Sequence, residues 1–77
     1  MDRSVKLNYI KLKELRKNLG LSQEKLALSC QKKSLCLSIA TLKRAECGRA
    51  VFYRTAAELA RFYQISVTDI IIYENSI

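Results

Sequence analysis

The side chains that could do chemistry in this 77-residue chain are hydrogen-bond donors and cations rather than nucleophiles with a base beside them. There is no histidine, and Cys30, Cys36 and Cys47 have spacings that match no zinc site. They read as buried or half-buried thiols. No glycine-rich loop can cradle a phosphate, and the carboxylates are scattered among basic residues. Neither an enzyme nor a cofactor is expected. Positive charge is what the chain concentrates. Arg44 can pair bidentately with guanine O6 and N7, and Lys43 can donate to guanine or to phosphate. Fourteen basic residues face seven acidic ones, and the excess is uneven. Residues 1–54 hold thirteen basic and four acidic side chains, a net +9, whereas residues 55–77 net −2. One part of the chain is built to meet polyanions and the tail is not. The plainer alternative is a solvated basic surface.

These side chains need a scaffold, and the composition implies a helical one. The chain is 49% apolar, with no Pro and only two Gly, which suits one compact domain over residues 1–77. Periodicity and caps predict five helices and an all-α fold. The first covers about 8–19, with Leu12, Leu15 and Leu19 on its inner stripe and Gly20 ending it. The second is opened by Ser22 and covers about 23–30, with Leu26 and Ala27 inward. The third is opened by Ser38 and covers about 38–47, with Leu42 and Ala45 inward and Gly48 closing it. The fourth covers about 55–63, with Leu59, Phe62 and Tyr63 as core; Phe52 ahead of it also reads as core. The fifth begins at Ser66, with Asp69 placed to reach back to its cap.

Ile70, Ile71, Ile72, Tyr73 and Ile77 cannot all face inward from one short fifth helix. They are expected to form a two-fold homodimer interface, or to pack on a further domain of a longer chain. Met1 is followed by a charged segment without an apolar core, so no signal peptide is read. The longest apolar run is four residues, too short to enter a membrane, and the expected location is cytoplasmic.

The two Ser-opened helices in the basic segment, about 22–47, have the layout of a helix-turn-helix, whose second helix enters the major groove of duplex DNA. On that helix Ile39, Ala40, Thr41, Lys43 and Arg44 cover the outward face. Ile39 and Ala40 could pack on a thymine methyl; Ile39 could equally pack against the loop before it.

The segments LKELRKNLGLSQEKLA (12–27), SIATLKRAECGR (38–49) and LARFYQISVTDII (59–71) resemble the lambdoid phage repressor/Cro type of helix-turn-helix domain. The resemblance implies a five-helix lambda-repressor-like fold and sequence-specific double-stranded DNA binding in transcriptional regulation, usually as a homodimer on DNA. It implies that Gln23 holds a phosphate at the start of the second helix. It also implies that Arg49 and Arg54 grip the backbone or reach toward the minor groove, where Tyr53 could add a phosphate hydrogen bond. Arg16 and Glu46 match a family pair that orients the recognition helix, expected as a bidentate ion pair.

Two departures stand out. The turn at 31–37 is lengthened beyond the usual three or four residues, and Lys32 and Lys33 on it either reach phosphate or form a solvated tip. Lys25 stands where the family often has an acid, which breaks the reciprocal capping box. The second functional reading is a protein-interaction module that keeps this fold and binds a partner through the apolar C-terminal helix.

Overall fold

The computed structural model describes residues 3–35 and 37–72. Among these residues the chain runs β1 (Ser4–Leu7), α1 (Tyr9–Asn18), α2 (Gln23–Lys32), α3 (Ile39–Ala45), β2 (Val51–Phe52), α4 (Tyr53–Tyr63), a 3-10 turn (Val67–Asp69) and β3 (Ile71–Ile72). The fold is therefore not all-α. Four helices carry a small antiparallel sheet of order β2-β1-β3, and no fifth helix forms in the described residues. The reason lies in residue type. Six of the eight residues from 65 to 72 are β-branched, which favours extended backbone over helix. Ser66 opens only one turn, its hydroxyl pairing with that of Thr68 at 2.8 Å rather than capping a helix.

The expected dimer helix disappears with it. Ile70 is 0% and Ile71 8% exposed, both packed inside the same chain, and only Ile72 is exposed. Tyr73 and Ile77, like Cys36, lie outside the described residues. β1 is the central strand. Ser4 pairs with Phe52 and Val5 with Val51 on one side, Lys6 with Ile72 and Leu7 with Ile71 on the other. Alternation then sorts the sheet. Val5, Leu7, Val51 and Ile71 face the core, while Ser4, Lys6, Phe52 and Ile72 are exposed.

Three of the four described helix starts follow the sequence closely, whereas α4 begins at Tyr53, two residues ahead of the expected Thr55 and without a side-chain cap. Asn8, Ser22 and Ser38 each accept a bond from the backbone N–H three residues on, at 3.1–3.2 Å. Lys25 breaks only the returning half of the capping box at Ser22.

The helix ends share one device. In each of the four described helices a residue of positive φ follows the last turn, and the next N–H reaches back five residues. These bonds are Leu21 to Arg16, Leu35 to Cys30, Arg49 to Arg44 and Ile65 to Ala60, at 2.8–3.2 Å. Gly20 and Gly48 supply the positive φ for α1 and α3 as expected, and Ser34 and Gln64 supply it for α2 and α4. Without a glycine to mark it, the end of α2 falls at Lys32 rather than near Cys30.

The long turn is also not a solvated appendage. Leu35 and Leu37 are both buried in the core, and fully burying a leucine is worth about 1.5–3 kcal/mol. The core around them is built from Leu7, Leu12, Leu26, Cys30, Leu42, Leu59 and Ile70. Leu19, read as the end of the inner stripe of α1, is exposed instead.

Candidate nucleic-acid interface

α3 has one buried and one open side. Leu42, Ala45 and the following Glu46 are buried, while Ala40, Lys43 and Arg44 form an exposed stripe at helical spacing that Cys47 continues. Ile39 and Thr41 are half-buried at its edges. The Thr41 hydroxyl pairs with the Ser38 hydroxyl at 2.9 Å, which fixes the first turn. Arg44 is exposed, but one of its donors, Nη2, reaches the Ala50 carbonyl at 3.2 Å and ties α3 to the approach of β2.

The far end of α3 is anchored by a buried carboxylate. Glu46 is 2% exposed and accepts from Arg16 Nε at 2.9 and 3.1 Å and from Gln23 Nε2 at 3.0 Å. The Arg16–Glu46 pair is thus present, although its geometry differs from the expected two-nitrogen fork. Nε alone serves both carboxylate oxygens, and Nη1 donates to the Leu21 carbonyl at 2.9 Å. The hydrogen bond to Glu46 holds the Arg16 guanidinium above its ordinary range. Gln23 is half-buried, and its amide N–H is committed to this network. The sequence placed Gln23 on phosphate but did not place it in the brace. The carboxylate therefore joins the end of α1, the start of α2 and the end of α3.

Tyr63 stands beside this network. Its hydroxyl is buried without a hydrogen-bond partner among the described residues, and burial pushes its pKa well above the usual phenol range. Burial likewise raises the Cys30 thiol, whereas Cys47 is exposed.

The remaining cations divide into two groups. Arg49 is exposed at the exit turn of α3. At the other three helix ends the corresponding residue is Leu or Ile turned to the core, so α3 alone ends on a cation. Arg54 is exposed with its guanidinium 5.5 Å from the Phe52 ring centre, and Arg3 lies 5.7 Å from that of Tyr53. Tyr53 is the half-buried first residue of α4, its N–H donating to the Arg3 carbonyl at 2.7 Å. Lys32 is exposed in the last turn of α2. Lys33 goes elsewhere, with its ammonium 5.0 Å from the Phe62 ring in a recess shared with Leu15 and Leu19. None of these lines the recess of Thr41 and Arg44.

The sequence reading missed Arg3, Ser4, Lys6 and Phe52. Phe52, taken for core, is 52% exposed, and a four-residue alternation in SVKL was the only available sign of the strand that places the others.

Among the described residues no group of three His, Cys, Asp or Glu side chains could hold a metal ion. No described helix is long and apolar enough to cross a membrane. No family model, curated protein or solved structure matches the chain.

Proposed function

We propose that this chain binds duplex DNA as a helix-turn-helix module of transcriptional regulation, with α3 in the major groove and no chemistry of its own. One observation carries the reading. The open stripe of Ala40, Lys43 and Arg44 belongs to a helix whose first turn is capped by Ser38 and whose close is braced to α1 and α2 by the Arg16–Glu46–Gln23 network. A short helix with exposed donors and a braced end suits base readout, because bidentate contacts demand fixed geometry. Around it lie Arg49, Arg54 and Lys32, exposed and of the right charge for phosphate. The alternative of a partner-binding module rests on a C-terminal apolar helix, and the described residues form a 3-10 turn and a two-residue strand there, with Ile70 and Ile71 buried in the core.

Selection from a pool of random duplexes, followed by titration at several salt concentrations, tests the reading. One sequence family should emerge, and log affinity should fall against log salt with a slope of about −0.9 per phosphate contacted. Lys43→Ala should relax the preference at one base pair at a cost of roughly 1–3 kcal/mol. Absence of binding to any duplex at low salt would refute it. A single α3 covers only a few base pairs, so two copies are expected on a pseudo-palindromic site with half-sites about 10 base pairs apart. Sedimentation of the complex gives the stoichiometry.

A further inference from the structure

α1 carries a basic row that abuts the close of α3. Tyr9, Lys13 and Lys17 recur every fourth position, so they stand in line along one side of the helix, and all three are exposed. Two contacts fix where that side lies. Arg16, next to the row, reaches Glu46 at 2.9 Å. Tyr9, two turns earlier, lies against the exit turn, its ring 3.1 Å from where a Cβ on Gly48 would stand. The open stripe of α3 runs out at Cys47, and the next residue is the one that meets Tyr9, so the row on α1 begins where the stripe ends. The Lys13 ammonium rests 5.6 Å from the centre of the Tyr9 ring, and Arg49 is exposed just past Gly48. Among the described residues no ion pair holds Lys13, Lys17 or Arg49, and Glu14, the single acid of α1, pairs with none of them. The whole of this surface, α1 and the exit turn of α3, lies within the described residues. The helix dipole accounts for a cation in the last turn, such as Lys17, but not for Lys13 in the middle of α1.

We infer that this side of α1 is a second arm of the DNA interface, in which Lys13 and Lys17 hold phosphates of the strand that passes the close of α3, next to the phosphate met by Arg49. The occupant is duplex backbone because the row is cationic, runs on from the α3 stripe and ends in ammonium groups on flexible stems. Such groups suit phosphate, whereas a base edge calls for a planar fork. The inference rests on the major-groove reading.

The test removes the two charges and compares two duplexes. Lys13→Gln with Lys17→Gln keeps the aliphatic stems, and thermal melts check that the variant keeps the fold. The control, Lys11→Gln with Arg61→Gln, removes the same charge from the opposite side of α1 and from α4. The probes are a synthetic duplex carrying the selected site and an unrelated duplex of the same length, titrated at several salt concentrations. The Lys13/Lys17 variant should bind both duplexes at least tenfold more weakly near about 0.1 M salt, with a salt slope shallower by about 1.8 for two lost phosphates. Its preference for the selected site should be that of the parent protein, and the control should keep the parent slope.

An equal loss in the control overturns the inference, because the effect then belongs to the net charge and not to this side of α1. A loss confined to the selected duplex also overturns it, in favour of a base contact. If Lys43→Ala weakens binding while the Lys13/Lys17 variant matches the parent, the second arm falls and the α3 reading stands. If the parent protein binds neither duplex at low salt, the α3 reading fails and takes this inference with it.

Discussion

Removing the Glu46 carboxylate tests the structural premise of the DNA reading directly. In Glu46→Ala the Arg16 guanidinium loses its counter-ion while its side chain remains only 14% exposed, with the Leu21 carbonyl still bonded. Gln23 loses an acceptor at the same time. Breaking one side of a buried ion pair costs about 3–5 kcal/mol. The partial access of water to Arg16 and its surviving bond put the expected loss at the low end, about 3 kcal/mol. For a domain of this size 1 kcal/mol moves Tm by roughly 4–8 °C, so Tm should fall by roughly 12–24 °C. That is a large share of a small domain's whole stability, so Glu46→Gln, which keeps an acceptor in place, serves as the milder variant. Urea melts of Arg16→Ala, Glu46→Ala and the double variant close a cycle, and the coupling should exceed about 1.5 kcal/mol. The loss should vary little with salt, because the pair is buried. Additive single effects, or a loss for Glu46→Ala below about 0.5 kcal/mol, would show that the carboxylate does not hold α3 in place.

Tyr63→Phe deletes a buried hydroxyl that has no partner among the described residues, and should stabilise the fold by up to about 1 kcal/mol in the same melts. Burial raises this phenol in the folded chain, so the unfolded chain loses the proton first, and stability is unaffected by this group below about pH 10 and declines as pH rises beyond it. Alkaline melts should show a shallower decline in the Phe variant. Ser34→Gly should raise stability by about 0.5–1 kcal/mol, the relief of a left-handed backbone of about 1–2 kcal/mol less the entropy that glycine brings to the unfolded chain. Gly48→Ala should cost more than Gly20→Ala. Both have positive φ, but an added Cβ at Gly48 meets the Tyr9 ring at 3.1 Å, while at Gly20 the space is open.

Helix starts were legible because Asn8, Ser22 and Ser38 act through local bonds that any chain segment can make. Helix ends were legible only where glycine marked them. Ser34 and Gln64 adopt the same conformation because Leu35 and Ile65 pack inward just after them, a tertiary cause that no local pattern displays. The sheet failed for a related reason. β2 and β3 are two residues each, and β1 has four, so none offers enough alternation to outweigh the helical pattern around it. The C-terminal isoleucines were read by helical spacing when their β-branching argued for strand. At the candidate site, the residue types of Arg16 and Glu46 were legible as a pair. The part played by Gln23 depends on how α2 meets α3 across a turn whose length departs from the pattern.

That turn bears on how α3 is set. A longer connection would normally loosen the angle between two helices, since each added residue brings backbone freedom. Here Leu35 and Leu37 return the chain to the core within the turn, and Leu35 N–H closes on the Cys30 carbonyl at 2.8 Å. The excess length is thereby fixed to α2 before α3 begins. Beyond α3, Gly48 brings the exit turn against Tyr9 of α1, and Arg44 carries the Ala50 carbonyl. β2 therefore starts from a defined point and pairs with β1 at the N-terminus of the chain. The open stripe of α3 and the outer face of the sheet adjoin, and the strands of that face bring together residues almost fifty positions apart in sequence, from Arg3 to Phe52. A basic strand at the start of the chain is thus placed beside α3 by the pairing of Ser4 with Phe52 and Val5 with Val51, without a contact of its own to α3 being required.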